Sequence, residues 1–423
     1  MEKLWVIIPV GGRATRLLPL TAESSKACLR LLNRPLIELA ILSLASQGVK
    51  NFIFGVKGYT NYRSLHDHFE SGIGFSATYS ITPRIHIKYQ PNIEDYGSGD
   101  SARINLEYYD IREMLFAVQG DNIFDVNLHD FMEFHKSKGA ILTIGLMEVE
   151  DITGFGVADV NKEMRISRFV EKPKRDEAPS NLVNTGLYMF SREIRDILAE
   201  DGVGKIIQEK GRLDFGYDVI PYLIETGRPV FGFVLKGSWY DIGTPRRYLE
   251  AMTDILNGKL SSLQDFGGRI SSNDRVWIQG ESADSIKRRE LIVKKFREGK
   301  TQLEGSVLIG RHCTIEDGVR IANSCIDNYS TIGRDAIIEN SAVMDRAIIG
   351  DGATIRKSIV GRHVTINSTL EKPTIVEGTS VIADDVSLAP GCRLYQSKVY
   401  PHINLPEGRF ERMIVRSIEV NHE

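Results

Sequence analysis

The chain has 423 residues, more than one compact core usually holds, so two domains are expected and neither needs a disulfide or a metal as a staple. Its formal net charge is -3, from 53 basic and 56 acidic side chains, which gives no overall pull toward nucleic acid or an anionic membrane; a polyanion would have to be met by a local site. Four cysteines, Cys28, Cys313, Cys325 and Cys392, form neither a Cys-x-x-Cys pair nor a regular ladder, so reduced thiols are expected rather than a zinc ribbon or a disulfide framework.

The first residues, Met1-Glu2-Lys3-Leu4, run straight into a short apolar strand without the features of a secretory leader. No later apolar run is long enough to span a bilayer, so a soluble, cytoplasmic protein is expected. Over residues 1–258, short apolar runs alternate with helix-length amphipathic stretches, the pattern of a Rossmann-like α/β domain with a mostly parallel sheet. Trp5 to Val10 reads as the first strand, Pro35 to Gln47 as a helix, Phe52 to Val56 as the second strand, and Leu115 to Val118 as a further buried strand ending on Gln119-Gly120-Asp121. Ligands in such folds sit beyond the carboxyl ends of the strands, which puts the loop at Gly11 and Asp121 on one face.

Between 259 and 302 the alternation breaks into a Gly- and Ser-containing stretch and a charged helix from Ser285 to Lys300. This reads as a connector whose basic face is solvated. From 303 to 423 aliphatic residues recur at Ile309, Ile315, Ile321, Ile326, Ile332, Ile338, Val343, Ile349, Ile355, Val360 and Ile366. The steps are six, six and five, 17 residues per turn, with glycines at Gly310, Gly333, Gly350 and Gly361. That period predicts a hexapeptide solenoid of about four turns, each with three short strands and inward-stacked aliphatics.

The loop after the first strand carries Gly11-Gly12-Arg13-Ala14-Thr15-Arg16, followed by Lys26. Glycines let backbone N–H groups approach phosphate, and an arginine fork grips phosphate oxygens. The spacing matches neither a Walker loop nor a dinucleotide fingerprint. The longer run, Gly11 to Thr21, then Ser25-Lys26-Ala27 and Asn33-Arg34-Pro35-Leu36-Ile37, resembles the signature of the sugar-1-phosphate nucleotidylyltransferases. Further landmarks extend the resemblance over the whole first domain: Gln119-Gly120-Asp121, Phe169-Val170-Glu171-Lys172-Pro173, Asn184-Thr185-Gly186 and Trp239-Tyr240-Asp241-Ile242-Gly243. Two positions depart from it. Ala14 stands where the family usually has Gly, at little cost only if its φ is negative, and Ser25 stands where the family usually has Pro.

The resemblance implies in-line attack of a sugar 1-phosphate oxygen on the α-phosphorus of an NTP, with release of pyrophosphate. Such a reaction needs alignment and charge stabilisation rather than a covalent nucleophile. By the match, Gly11, Gly12 and Arg13 approach the nucleotide, Arg16 holds the leaving pyrophosphate, and Lys26 neutralises charge between the phosphate groups. Asp121 and Asp241, both at strand ends, are oxygen ligands suited to one Mg²⁺. Glu171 is expected to accept from sugar hydroxyls, Lys172 to bind the sugar phosphate, Asn184 to contact the sugar, and Gly156 to let a backbone amide approach the hexose.

Gln90 is placed against the base edge by the family pattern, and Gly97 lets the base sit close. A glutamine amide suits uracil, thymine or adenine better than guanine, which favours UTP or dTTP. Glucose 1-phosphate is the expected sugar, with GTP and mannose 1-phosphate as the alternative pair. The solenoid resembles hexapeptide proteins, which implies a left-handed parallel β-helix and association of copies through it. His312 and His363 at its turns raise a second reading, acetyl transfer, and loss of turnover in a ligand-sensing protein is a third.

Overall fold

Four apolar runs, Leu4–Val10, Asn51–Val56, His86–Tyr89 and Met114–Val118, pair side by side and all parallel in the computed structural model, which describes residues 4–12, 14–271 and 275–417. Their near-continuous hydrophobicity follows from burial on both faces. Val6, Ile8 and Val10 pack against Ile37, Ile41 and Leu44 of the helix Leu36–Ser46. Trp5 and Ile7, on the opposite face, pack against Ala102 and Leu106 of the helix Ser98–Tyr108. Beyond Met114–Val118 the sheet turns antiparallel, through Leu182–Phe190 to Val157–Val160 and Ile166–Val170, and in all it has nine strands. Because the four central strands share one direction, the segments that follow them, Gly11-Gly12, Lys57-Gly58, Gln90-Pro91 and Gln119-Gly120-Asp121, emerge along one edge.

A second compact unit holds Ile242 onward together with two segments from early in the chain, Ala14–Ser24 and Leu29–Pro35. Its main part is a parallel β-helix with walls of eight, seven and six strands. Thr314 pairs with Thr331, Thr331 with Ile348 and Ile348 with Thr365, so each rung advances 17 residues as the sequence spacing predicts. The recurring aliphatics form its core: Ile309, Ile321, Ile332, Ile338, Ile355 and Val360 are wholly buried. A serine column runs beside them. The N–H of Ser341 donates to Ser324 Oγ at 3.0 Å, that of Ser358 to Ser341 Oγ at 3.1 Å and that of Ser397 to Ser380 Oγ at 3.1 Å.

The β-helix is longer than four turns. Its first strand, Arg275–Ile278, lies within the stretch expected to be a connector and pairs with Ser306–Ile309. The helix Ala283–Arg297, N-capped by Ser282, is inserted between these two strands and conceals the rung. Later, Thr365 pairs with Ser387, a step of 22 residues, and this one enlarged rung masks the continuation to Ile414–Val415. Among the described residues no helix is long and apolar enough to cross a membrane, and all four cysteines are free thiols.

Candidate active site

The loop after the first strand begins where Gly11 passes Lys57: a Cβ on Gly11 would lie 2.9 Å from Lys57 Cβ, so this crossing requires glycine. Gly12 is open and exposed, and Arg13 lies outside the described residues. Ala14 adopts φ 45°, the left-handed region where glycine is the unstrained choice, so the condition for a cheap substitution is not met. Arg16 follows on an exposed single turn of 3₁₀ helix, Thr15–Leu17.

Lys26 sits in a second 3₁₀ turn, Lys26–Cys28, and its ammonium pairs with the carboxylate of Asp121. Asp121 follows the strand Met114–Val118, and the next three residues, Asn122–Phe124, pair antiparallel with Trp239–Asp241. Asp241 thereby stands opposite Asn122, and its Oδ1 lies 3.9 Å from Lys26 Nζ. Two carboxylates thus converge on one cation. Their side chains keep 24% and 17% of their exposure, enough for water to reach them. Hard oxygen donors with room for water suit Mg²⁺, which keeps most of its own shell. The described residues contain no group of three or more His, Cys, Asp or Glu arranged for a metal, so these two carboxylates would need water and phosphate oxygens to complete an octahedron.

The residues expected on the sugar side lie at neighbouring strand ends. Glu171 follows Ile166–Val170, and its Oε2 occupies space that a Cβ on Gly156 or on Gly216 would enter, each at 2.5 Å. Burial pushes the Glu171 carboxyl above the usual range, while Lys172, with Nζ 3.4 Å away, works against that rise. Lys172 is half exposed, and its ammonium lies 5.2 Å from the centre of the Tyr217 ring. Asn184 donates to Tyr188 Oη at 2.7 Å and accepts from Gly186 N at 2.9 Å. The carbonyl of Thr185 receives two donors, Trp239 Nε1 at 3.0 Å and Asn122 Nδ2 at 2.5 Å. Asn184-Thr185-Gly186, Gln119-Gly120-Asp121-Asn122 and Trp239-Tyr240-Asp241, distant in sequence, are therefore tied together. Gly186, at φ 77°, faces Gln119, whose Cγ a Cβ would meet at 2.6 Å.

Gln90 does not present a free base-reading edge. It is buried, its Nε2 donates to Asn92 O at 3.0 Å and Asp95 Oδ2 at 3.2 Å, and its Oε1 accepts from Ser101 Oγ at 2.6 Å and Asn105 Nδ2 at 3.2 Å. Its amide holds the loop after His86–Tyr89 to the helix Ser98–Tyr108. Gly97, at φ 134°, packs against Asp214 and Leu213, with a would-be Cβ 3.0 Å from each. The local reason for glycine at this position is that backbone and those neighbours. Lys57 and Asp95, absent from the residues expected above, belong to the same edge. Lys57, directly after Asn51–Val56, has its ammonium 3.7 Å from Asp95 Oδ1 and donates to the Asp95 carbonyl. The signal for Lys57 was its place at the end of the second strand, equivalent to Gly11 after the first.

The β-helix histidines are occupied. His312 Nδ1 lies 2.9 Å from Asp284 Oδ2, its Nε2 lies 2.9 Å from Ser285 Oγ, and the ring stacks on Tyr329. His363 lies between Asp385, at 3.3 Å, and Arg346, at 3.4 Å. With both His312 ring nitrogens engaged, neither is left as a general base for acetyl transfer.

Residues 293–394 match the family model of the EIF2B subunit epsilon LbH domain, in keeping with a left-handed parallel β-helix. Among similar proteins, a UTP–glucose-1-phosphate uridylyltransferase from Synechocystis sp. is 27% identical over 356 residues, covering 80% of this chain and 87% of that protein. Glucose-1-phosphate adenylyltransferases from Bacillus cereus and Bacillus anthracis are each 27% identical over 362 residues, covering 81% of this chain and 92% of theirs. Residues 5–258, more than half of the chain and the part that holds Lys26, Asp121 and Asp241, match the Nucleotidyl transferase family model, and the chain belongs to that family.

Proposed function

We propose that this protein transfers a nucleotidyl group from an NTP to a hexose 1-phosphate, with UTP or dTTP and glucose 1-phosphate as substrates. The observation that carries the reading is the convergence of Asp121 and Asp241 on Lys26 at the carboxyl edge of a parallel sheet. The sugar assignment is supported by the similar proteins, a glucose-1-phosphate uridylyltransferase and glucose-1-phosphate adenylyltransferases. The uridine preference follows the Synechocystis relative, and ATP is the competing choice from the Bacillus relatives. Gln90 no longer supports either base, because its amide is spent inside the protein.

In the proposed reaction a phosphate oxygen of the sugar attacks the α-phosphorus, and the bond to pyrophosphate breaks on the opposite side. Lys26 screens charge that builds between the two phosphate groups, and Asp121 and Asp241 would hold Mg²⁺. When bound, that ion supplies charge stabilisation to the phosphate oxygens. Gly11 and Gly12 leave backbone amides open to the nucleotide, and Arg16 takes the departing pyrophosphate, a role that rests on the motif. Glu171, fixed between Gly156 and Gly216, accepts from a sugar hydroxyl, Asn184 contacts the same sugar, and the exposed ammonium of Lys172 meets its phosphate.

The test is pyrophosphate release with UTP, dTTP, ATP and GTP crossed against glucose 1-phosphate and mannose 1-phosphate, with Mg²⁺ and with EDTA. Release from UTP or dTTP with glucose 1-phosphate, abolished by EDTA, supports the proposal. Release only from GTP with mannose 1-phosphate rejects the substrate assignment. No release from any pair, beside tight NTP binding, rejects turnover altogether.

A further inference from the structure

A cleft of about 620 Å³ opens at the edge of the nine-stranded sheet opposite the one that carries Asp121. The strand Met114–Val118 leads from the cleft to Asp121, and five residues at about 3.3 Å each put the two roughly 17 Å apart. Three adjacent strand ends make its floor. Leu115 pairs with Phe190 and Phe190 with Leu142, so Met114, Ser191 and Ile141 come side by side. Ser191 N donates to the Ile141 carbonyl at 3.0 Å. The helix Leu128–Ser137 lies against this floor, and Gly139, at φ 55°, turns the chain from it into the strand Leu142–Glu148.

Two residues of the lining hold buried polar atoms that are unmet among the described residues. His135 is 2% exposed; its Nδ1 lies 2.8 Å from Thr143 Oγ1, and its Nε2 makes no hydrogen bond. Ser191 Oγ, beside the Glu193 carboxylate, has no partner at hydrogen-bonding geometry. Such atoms bear their full desolvation cost, and a bound molecule that meets one of them recovers it. Charges of both signs stand around them. Arg112, Lys136 and Arg192 supply three cations, Glu113 and Glu193 two carboxylates. The Arg192 side chain keeps 76% of its exposure, within reach of an anion from solvent, while Arg112 Nη2 is held by Asp110 at 3.0 Å. Cations suit phosphate oxygens, and carboxylates accept from hydroxyls.

We infer that this cleft binds a sugar phosphate, free or as part of a nucleotide: Arg112, Lys136 and Arg192 take the phosphate, Glu113 and Glu193 the sugar hydroxyls, and His135 Nε2 a polar atom within. The volume falls in the range of small-molecule sites, and Met114 and Ile141 give the floor the apolar character such sites have. The site is separate from the one at Asp121, because the length of the strand Met114–Val118 lies between them. It is also independent of which substrates that other site takes.

Side-chain nitrogen NMR of the full chain labelled with ¹⁵N-histidine tests it, with glucose 6-phosphate, AMP and inorganic phosphate as probes, each titrated to about 10 mM. Loss of its signals in His135→Gln assigns the His135 ring; if circular dichroism shows that this variant does not fold, Thr143→Ser assigns the ring by the shift of its Nδ1 partner. The expected result is a saturable shift of His135 with glucose 6-phosphate, AMP or both, at a Kd of about 1 mM or tighter, and binding of inorganic phosphate at least about tenfold weaker. Arg192→Ala should weaken binding about tenfold, since a charge-assisted hydrogen bond is lost, and Lys26→Met should leave it within about twofold. No shift of His135 with either organic phosphate, or unchanged affinity in Arg192→Ala, overturns the inference. Equal affinity for inorganic phosphate makes this an adventitious ion only and overturns it as well. Loss of the shift in Lys26→Met does the same, because the response would then come from the site at Asp121.

Discussion

Removing the ammonium of Lys26 should have two effects of opposite sign. In the protein without substrate, that ammonium occupies the space between Asp121 and Asp241 that a divalent ion would enter, at 3.9 Å from Asp241 Oδ1 and closer to Asp121. At an effective dielectric of about 20, unit charges at the longer separation attract by about 4 kcal/mol before desolvation is subtracted. The net value of a charged hydrogen bond is about 1.5 to 3 kcal/mol, roughly ten- to a hundredfold in an equilibrium. Lys26→Met therefore frees two carboxylates from a competing cation, and Mn²⁺ should bind the substrate-free variant about tenfold more tightly or better. Turnover should nevertheless fall on the order of 10²-fold, because the phosphate groups lose their cation. Mn²⁺ titration followed by water-proton relaxation measures the first effect, and pyrophosphate release measures the second. Weaker or unchanged Mn²⁺ binding in Lys26→Met would refute the reasoning, since it would mean that the ammonium and the ion do not share these carboxylates.

Gly156→Ala places a methyl 2.5 Å from Glu171 Oε2 and from Phe169 Cζ, so it should displace the carboxylate, raise KM for the sugar 1-phosphate about tenfold and cost about 1 to 3 kcal/mol in urea unfolding; an unchanged KM would remove Glu171 from sugar binding. Ala14→Gly relieves φ 45° and should stabilise the protein by about 0.5 to 1 kcal/mol after glycine's greater unfolded-state entropy is subtracted, again read by urea unfolding. His135 is buried, accepts or donates only at Nδ1 to Thr143 Oγ1 at 2.8 Å among the described residues, and burial pulls its pKa from 6.5 down to about 4. Unfolding lets it take up a proton near pH 6.5, so its contribution is intact above that pH. Stability should fall as pH drops toward 4, at up to about 1.4 kcal/mol per unit. His135→Gln should flatten that slope in thermal denaturation, and an identical slope would assign it to other groups.

The strands and the solenoid were legible in the sequence because their cause is local. Val6, Ile7 and Ile8 are apolar in succession since both faces of their strand are covered, and the 17-residue period follows from one inward aliphatic per strand. Where a local pattern is interrupted, it fails as a guide. The helix Ala283–Arg297 separates Arg275–Ile278 from its partner strand, and the enlarged rung between Thr365 and Ser387 breaks the count. At the candidate site the residue types were legible, but their meeting was not. Asp241 reaches Lys26 only through the pairing of Trp239–Asp241 with Asn122–Phe124, a contact that no spacing encodes. Gln90 shows the converse. Its amide looked available until Ser101 and Asn105, from a helix further along the chain, were seen to occupy it.

The serine column gives the β-helix the mechanics of a zip fastener. Ser324, Ser341 and Ser380 each accept from the rung directly after their own, and Ser341 also donates its N–H to the rung before, so the teeth join consecutive rungs one to the next. Damage to one tooth is therefore felt first by the rungs on either side of it, and heating should open the stack progressively from Ile414–Val415, which among the described residues pairs with Lys398–Val399 alone. The rungs around Asp327 and Asp345, far from that end, would be among the last to part, and they are the ones that grip Arg30.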